Sequence, residues 1–162
     1  QGMKCKKPAS QNSTERFRLM WKDVMYQPGE IKAVAYKNGE RMGESLIKTA
    51  GEPYQIKLTP DRKTVLANGE DLSYVLVEAL DKEGNQCPLA NNKIKLILKG
   101  NAEIAGVGNG NPQSFEPFQS DQVYLFYGKA MIIIRSKDST GKVVLEASSD
   151  SLKKSIATIE LK

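Results

Sequence analysis

In the stretch "AEIAGVGNGNPQSFEPF" (Ala102 to Phe118) a glycine stands at every second position from Gly106 to Gly110. Three roles fit such a run: a phosphate cradle, a sugar-binding loop, or the corner of a β-fold. A phosphate cradle needs a strand before it and a helix after it, because the helix N-terminus supplies free N–H groups and a favourable dipole. "AEIAGV" supplies the strand, but Pro112 and Pro117 punctuate the residues after it, and no Gly-Lys-Ser/Thr is present. The nucleotide reading therefore fails. As a structural turn, Gly106, Gly108 and Gly110 would permit positive φ or close backbone approach, while Asn109 and Asn111 bond to nearby backbone. As a binding loop, the amides of Asn109 and Asn111 beside Phe115 would contact sugar hydroxyls, and Trp21 would offer a stacking ring. The structural reading is preferred for the loop, and core or interdomain packing for Trp21.

Other chemistry is scarce. The chain has no histidine, which removes the commonest general base and metal ligand and every Ser-His-Asp or Cys-His arrangement. Glycosidic cleavage needs two carboxyl groups about 5–10 Å apart. Glu103, Glu116 and Asp121 lie near the loop, yet acidic residues at strand ends and turns are ordinarily solvated. "DKEGN" (Asp81 to Asn85) alternates oxygen side chains as a calcium loop does, without the further acidic ligand or flanking helices; a hairpin turn is expected. Cys5 and Cys87, 82 positions apart, are expected as unpaired thiols. No metal, no cofactor and no catalytic residue are expected.

The elements that position these residues are strands. No window carries a sustained helical pattern, whereas period-two alternation recurs. In "RFRLMWKD", Phe17, Leu19 and Trp21 alternate with polar or flexible neighbours; in "NKIKLILKG", Ile94, Leu96 and Leu98 alternate with lysines, broken by Ile97. Strands are expected over 16–23, 31–37, 43–48, 54–59, 72–81, 93–99, 102–107, 123–127, 131–136, 142–148 and 155–161. Between them stand "QPGE", "KNGE", "ANGED", "DKEGNQ", "FYGKA" and "STGKV", of which Asn-Gly in "KNGE" is the strongest hairpin signal. The expected class is all-β: an immunoglobulin-like antiparallel sandwich over 53–162, preceded over 1–52 by the truncated C-terminal half of a second sandwich.

Net charge is +5, and the surplus sits early: residues 1–53 hold ten Lys/Arg against six Asp/Glu. No element carries a dense basic stripe, so nucleic acid is not expected as a partner. No apolar run approaches a membrane span. The opening "QGMKCKKPASQNSTERF" reads as the inside of a loop, which suggests a piece of a longer protein. Three strands with one bare apolar face are expected to find cover, either on the complete domain or on a second copy through residues 16–50.

Taken as a set, "TAGEPYQIKLTPDR", "IAGVGNGNP.S.EPF" and "F.GKA" resemble the C-terminal part of bacterial (Bacteroides-type) glycoside hydrolase family 2 enzymes, the β-galactosidase-type proteins of carbohydrate degraders. That resemblance covers nearly the whole chain. It implies immunoglobulin-like accessory domains, catalytic glutamates on a barrel upstream in the same polypeptide, and a periplasmic or extracellular setting. No barrel stands in this sequence, so no catalytic residue carries over. The resemblance leaves a scaffold role, with a module binding galactose-containing glycans as one alternative. Residues 58–98 also look like bacterial adhesin repeats, which would give a spacing role instead.

Overall fold

In the computed structural model, which describes Trp21 and residues 24–162, Asn38 and Gly39 make the expected hairpin turn, with φ of 52° and 87°. Positive φ at both central positions is the type I′ geometry that matches strand twist. The turn joins β1 (Glu30–Lys37) to β2 (Glu40–Lys48) in a two-stranded sheet whose side chains are all exposed. Lys32 pairs with Glu44 across it, and Arg41 pairs with the same carboxylate along β2. The strand expected over 16–23 lies, Trp21 excepted, outside the described residues, as does Cys5.

The chain divides between Ile47 and Lys48, five residues before the expected boundary at 52/53. The joint belongs with the second unit. Gly51 N donates to Asp81 Oδ2 at 2.9 Å, the Cys87 thiol faces Gly51 O at 3.6 Å, and Ala50 packs against the core of that unit.

The second unit is a two-sheet sandwich. One sheet holds β3 (Gln55–Pro60), β5 (Leu72–Leu80), β9 (Lys129–Ser136) and β7 (Ala102–Gly108), in that order. The other holds β4 (Thr64–Val65), β11 (Ser155–Leu161), β10 (Gly141–Ser148), β6 (Lys93–Lys99) and β8 (Gln122–Tyr124). Every pairing is antiparallel except β4 with β11. These sheet orders follow the ABED and GFC arrangement of immunoglobulin-like folds, with β8 added beside β6. Alternation fills the core: Val75, Val77, Ile132 and Ile134 face Ile94, Leu96, Val143, Leu145 and Ile159, all buried.

The sequence does not announce β4. After Pro60 the chain leaves one sheet and joins the other within four residues, and one side chain fixes the crossing. Asp61 Oδ1 accepts from Arg62 N at 2.7 Å, Tyr74 N at 2.8 Å and Ser73 Oγ at 3.1 Å. Asp71 fastens the other side, accepting from Leu66 N, Leu72 N and Arg62 Nη2 at 2.8–2.9 Å. The Leu66 amide, then the guanidinium, lead in holding its carboxyl below the ordinary range.

The "DKEGN" stretch is a turn, as expected, and its chemistry argues against calcium. Asp81 Oδ1 accepts from Glu83 N (2.9 Å) and Asn85 N (2.8 Å); Oδ2 accepts from Gly51 N (2.9 Å) and Asn85 Nδ2 (3.0 Å). Four N–H donors occupy the carboxylate a cation would need. The Asn85 amide and the Gly51 N–H lead in lowering its pKa to about 2. An unfolded aspartate titrates near 3.9, so this carboxylate adds stability above about pH 4 and loses it as pH falls towards 2. Asp81→Asn turns an NH2 group on to these donors. It is expected to lower the melting temperature at pH 7, with the gap to the parent closing as pH falls towards 2. A gap that does not depend on pH would contradict the ionic reading.

Candidate functional site

The glycine run sits where β7, an edge strand of one sheet, hands the chain to β8, an edge strand of the other. Residues 109–121 bridge the open side of the sandwich and enclose a cavity of about 280 Å³. Its walls are Val107, Val123 and Phe118, with Asn109, Asn111 and Glu116 among the polar lining.

Two of the expected turn glycines are strand residues. Gly106 and Gly108 belong to β7, paired with Ile133 and Met131, and of the run only Gly110 has positive φ, at 74°. The expectation of a turn at Gly106 and Gly108 is therefore corrected: the turn begins after them. The physical cause is the returning loop. Phe118 O accepts from Val107 N at 2.6 Å, which pairs the free edge of β7, and the Phe118 ring lies over Gly108, where a Cβ would meet it at 3.9 Å. At Gly106 a Cβ would stand 3.6 Å from Phe118 O and 3.8 Å from Ile133 Cδ1, which is ordinary contact. Gly106→Ala is therefore expected to fold with a change in stability within about 1 kcal/mol; a collapse of the fold would restore the turn reading.

The polar groups of the loop serve the loop. Asn109 Oδ1 accepts from Asn111 N at 3.0 Å, and Asn111 Oδ1 accepts from Gln113 N at 3.0 Å, two successive turns of the kind Asn makes with backbone two residues on. Asn109 Nδ2 donates to Tyr124 O at 3.0 Å and Glu116 Oε2 at 3.3 Å. Glu116 also accepts from Ser114 Oγ (3.2 Å) and Tyr124 N (3.3 Å), which fastens the loop to β8. Sequence reasoning weighed Glu116 only as an acid; it is the tie that closes the corner, and "NGN" with an acid seven residues after Asn109 was its sole signal.

Of the residues considered for sugar contact, Asn109 and Asn111 line the cavity and Phe115 is fully exposed outside its lining; Trp21 is an exposed residue of the first unit. The carboxylates do not converge. Glu116 is the only one in the lining. Glu103 accepts from Arg135 Nε at 2.8 Å on the sheet surface, and that guanidinium lowers its pKa. Asp121 is exposed, its carbonyl accepting from Leu96 N. Cys87 is a buried free thiol whose pKa is raised by burial. Among the described residues no cluster of three His, Cys, Asp or Glu could hold a metal ion, and no helix is long and apolar enough to cross a membrane.

The same fold is met again among known proteins. Residues 56–158 match the profile described as glycoside hydrolase family 2 C-terminal domain 5, and residues 1–43 match a domain described as of unknown function. A beta-galactosidase of Bacteroides ovatus is 41% identical over 145 residues, which are 90% of this chain and 17% of that protein. A glycosyl hydrolase family 2 member from Bacteroides cellulosilyticus superposes with a TM-score of 0.80 at 34% identity, over 86% of this chain and 18% of that one. A beta-glycosidase from Bacteroides vulgatus gives 0.81 at 28%, over 85% and 18%. The chain thus spans less than a fifth of the length of these relatives. The sandwich carries the C-terminal domain that the motifs around the glycine run resemble, and the chain belongs to glycoside hydrolase family 2.

Proposed function

We propose that this chain is a non-catalytic accessory region of a β-galactosidase-type glycosidase acting on plant or host glycans, with its catalytic barrel elsewhere in the same polypeptide and its place of work the periplasm or the cell exterior. One observation carries the scaffold role: the cavity beneath the glycine run holds a single carboxylate, Glu116, and that carboxylate and Asn109 are spent on closing the sandwich. Glycoside hydrolysis by the usual route needs two carboxyl groups. The identity to a beta-galactosidase supports the parent activity. In the same reading residues 1–47 belong to a preceding sandwich, and residues 16–50, with the exposed β1–β2 hairpin, take part in contacts within the polypeptide or between copies.

A second reading, a module binding galactose-containing glycans, draws support from the cavity together with the exposed rings of Phe115 and Phe118 beside it. NMR titration of the chain with galactose and lactose separates the two. The scaffold reading expects no saturable shifts at residues 108–118 up to millimolar sugar. Saturable shifts there, abolished by Phe115→Ala or Asn111→Ala, would replace it with the binding reading.

A further inference from the structure

The two outer faces of the sandwich are unlike. On the five-stranded sheet just over half of the outward positions of β6, β10 and β11 are charged: Lys93, Lys95, Lys99, Lys142, Glu146 and Glu160, with Lys95–Asp150 and Lys154–Glu146 ion pairs, while Ile97 and Ile156 flank Glu146 next to Val144. On the four-stranded sheet the outward positions form rows set by register. Thr59, Leu76, Met131 and Gly108 make one row; Tyr74, Ile133 and Gly106 make the next. These two central rows are apolar throughout, Thr59 excepted. Met131 is 38% exposed, Tyr74 41%, and Phe118, lying along the two glycines, 77%.

The rows on either side are charged and internally paired. Glu78 stands 3.6 Å from Lys57 Nζ and 3.5 Å from Lys129 Nζ at one end; Glu103 and Arg135 pair at the other. An apolar centre within a polar rim is the anatomy of a protein interface rather than of a solvated sheet face. Phe118 occupies the space beside the glycines at 106 and 108 and carries the apolar strip to the edge of the sheet.

We propose that this strip, Tyr74, Leu76, Met131, Ile133 and Phe118, is the surface on which another domain of the same polypeptide docks. The inference rests on the accessory reading above. The rim sets Lys57, Lys129 and Arg135 against Glu78 and Glu103, a net charge of +1 that is too small to draw a nucleic acid or an anionic lipid surface. Five side chains fall short of the roughly 800 Å² per partner that a stable complex between separate molecules buries. A tethered domain needs less, because linkage supplies an effective concentration in the millimolar range. The relatives provide the tether: the Bacteroides ovatus protein has 83% of its length outside the region matched here, the remainder after the 17% covered.

The test places the photo-crosslinker p-benzoylphenylalanine at position 131, at 74, or at 156 on the charged face, in the full natural polypeptide, with melting curves to check folding. The proposal expects intramolecular crosslinks from 131 and 74 to peptides outside residues 1–162, in at least fivefold greater yield than from 156. Crosslinks that double the mass, crosslinks landing within residues 1–162, or yields equal to that at 156 would each overturn it. Hydrolysis of an aryl β-galactoside by the same polypeptide is measured in parallel. Activity without the crosslink sinks the docking surface alone; absence of activity with the crosslink present sinks the glycosidase reading alone.

Discussion

Gly128→Ala is expected to destabilise the sandwich by about 3 kcal/mol or more, roughly 10–20 °C in melting temperature for a domain of this size. Phe126 and Lys129 exchange two backbone hydrogen bonds, N to O at 2.9 Å and 3.1 Å, across Tyr127 and Gly128, whose φ values are 49° and 73°. That is a second type I′ turn, and the one that opens β9. Unlike the Asn38–Gly39 turn, it is clamped. Gly128 N donates to Ala90 O, Ala79 N donates to Gly128 O, both at 2.9 Å, and Gln86 Nε2 donates to Tyr127 O at 2.8 Å. A Cβ on residue 128 would fall deep inside contact with Cys87 O and 2.5 Å from Gln86 Nε2. The Cys87 backbone cannot yield freely, because its N–H donates to Ala79 O at 2.9 Å and its carbonyl accepts from Ala90 N at 3.2 Å. Gly110→Ala is the control: its φ is 74°, but nothing lies within 4 Å of the new methyl, so only the backbone term of about 1 kcal/mol applies. Equal losses at the two sites in urea unfolding would show that the clash at 128 is absorbed.

The second large effect lies on the next strand. Ile132→Ala is expected to cost roughly 2–5 kcal/mol, and Met131→Ala, one residue away, less than about 1 kcal/mol. Ile132 is fully buried at the middle of β9, paired with Val75 on one side and Val107 on the other, so truncation leaves a cavity between two inflexible strands. Met131 points out of the sandwich. Urea unfolding of the two variants checks the contrast; equal losses would mean that the outward face is already covered within the chain.

That pair also marks where the sequence stops being readable. In "NKIKLILKG" lysines punctuate the apolar positions, and Ile94 and Leu96 face the core as the alternation requires. In "MIIIRS" four apolar residues run together, and alternation cannot say which two are inside. The register with β5 decides: Ile132 and Ile134 go in, Met131 and Ile133 out. The apolar outer strip was therefore hidden in the sequence. The short β4 was hidden for another reason, since two residues carry no period and their place depends on the Asp61 and Asp71 ties.

The candidate site was partly legible. The tendency of Asn109 and Asn111 to bond backbone follows from their side chains alone, and both do so. The glycines of the run were half legible: positive φ falls on Gly110 alone, while Gly106 and Gly108 lie in β7 beside Phe118, where a Cβ would make only ordinary contact. Which of Glu103, Glu116 and Asp121 closes the corner depends on contacts between β7, β8 and the loop, for which the spacing from Asn109 to Glu116 was the one local signal.

The most direct measurement compares the natural polypeptide with a version lacking residues 48–162, assaying hydrolysis of an aryl β-galactoside and the midpoint of thermal inactivation. A supporting domain predicts hydrolysis at low temperature with unchanged KM and an inactivation midpoint lowered by several degrees. A many-fold rise in KM with an unchanged midpoint would contradict it, placing these residues at the substrate rather than behind the machinery that acts on it.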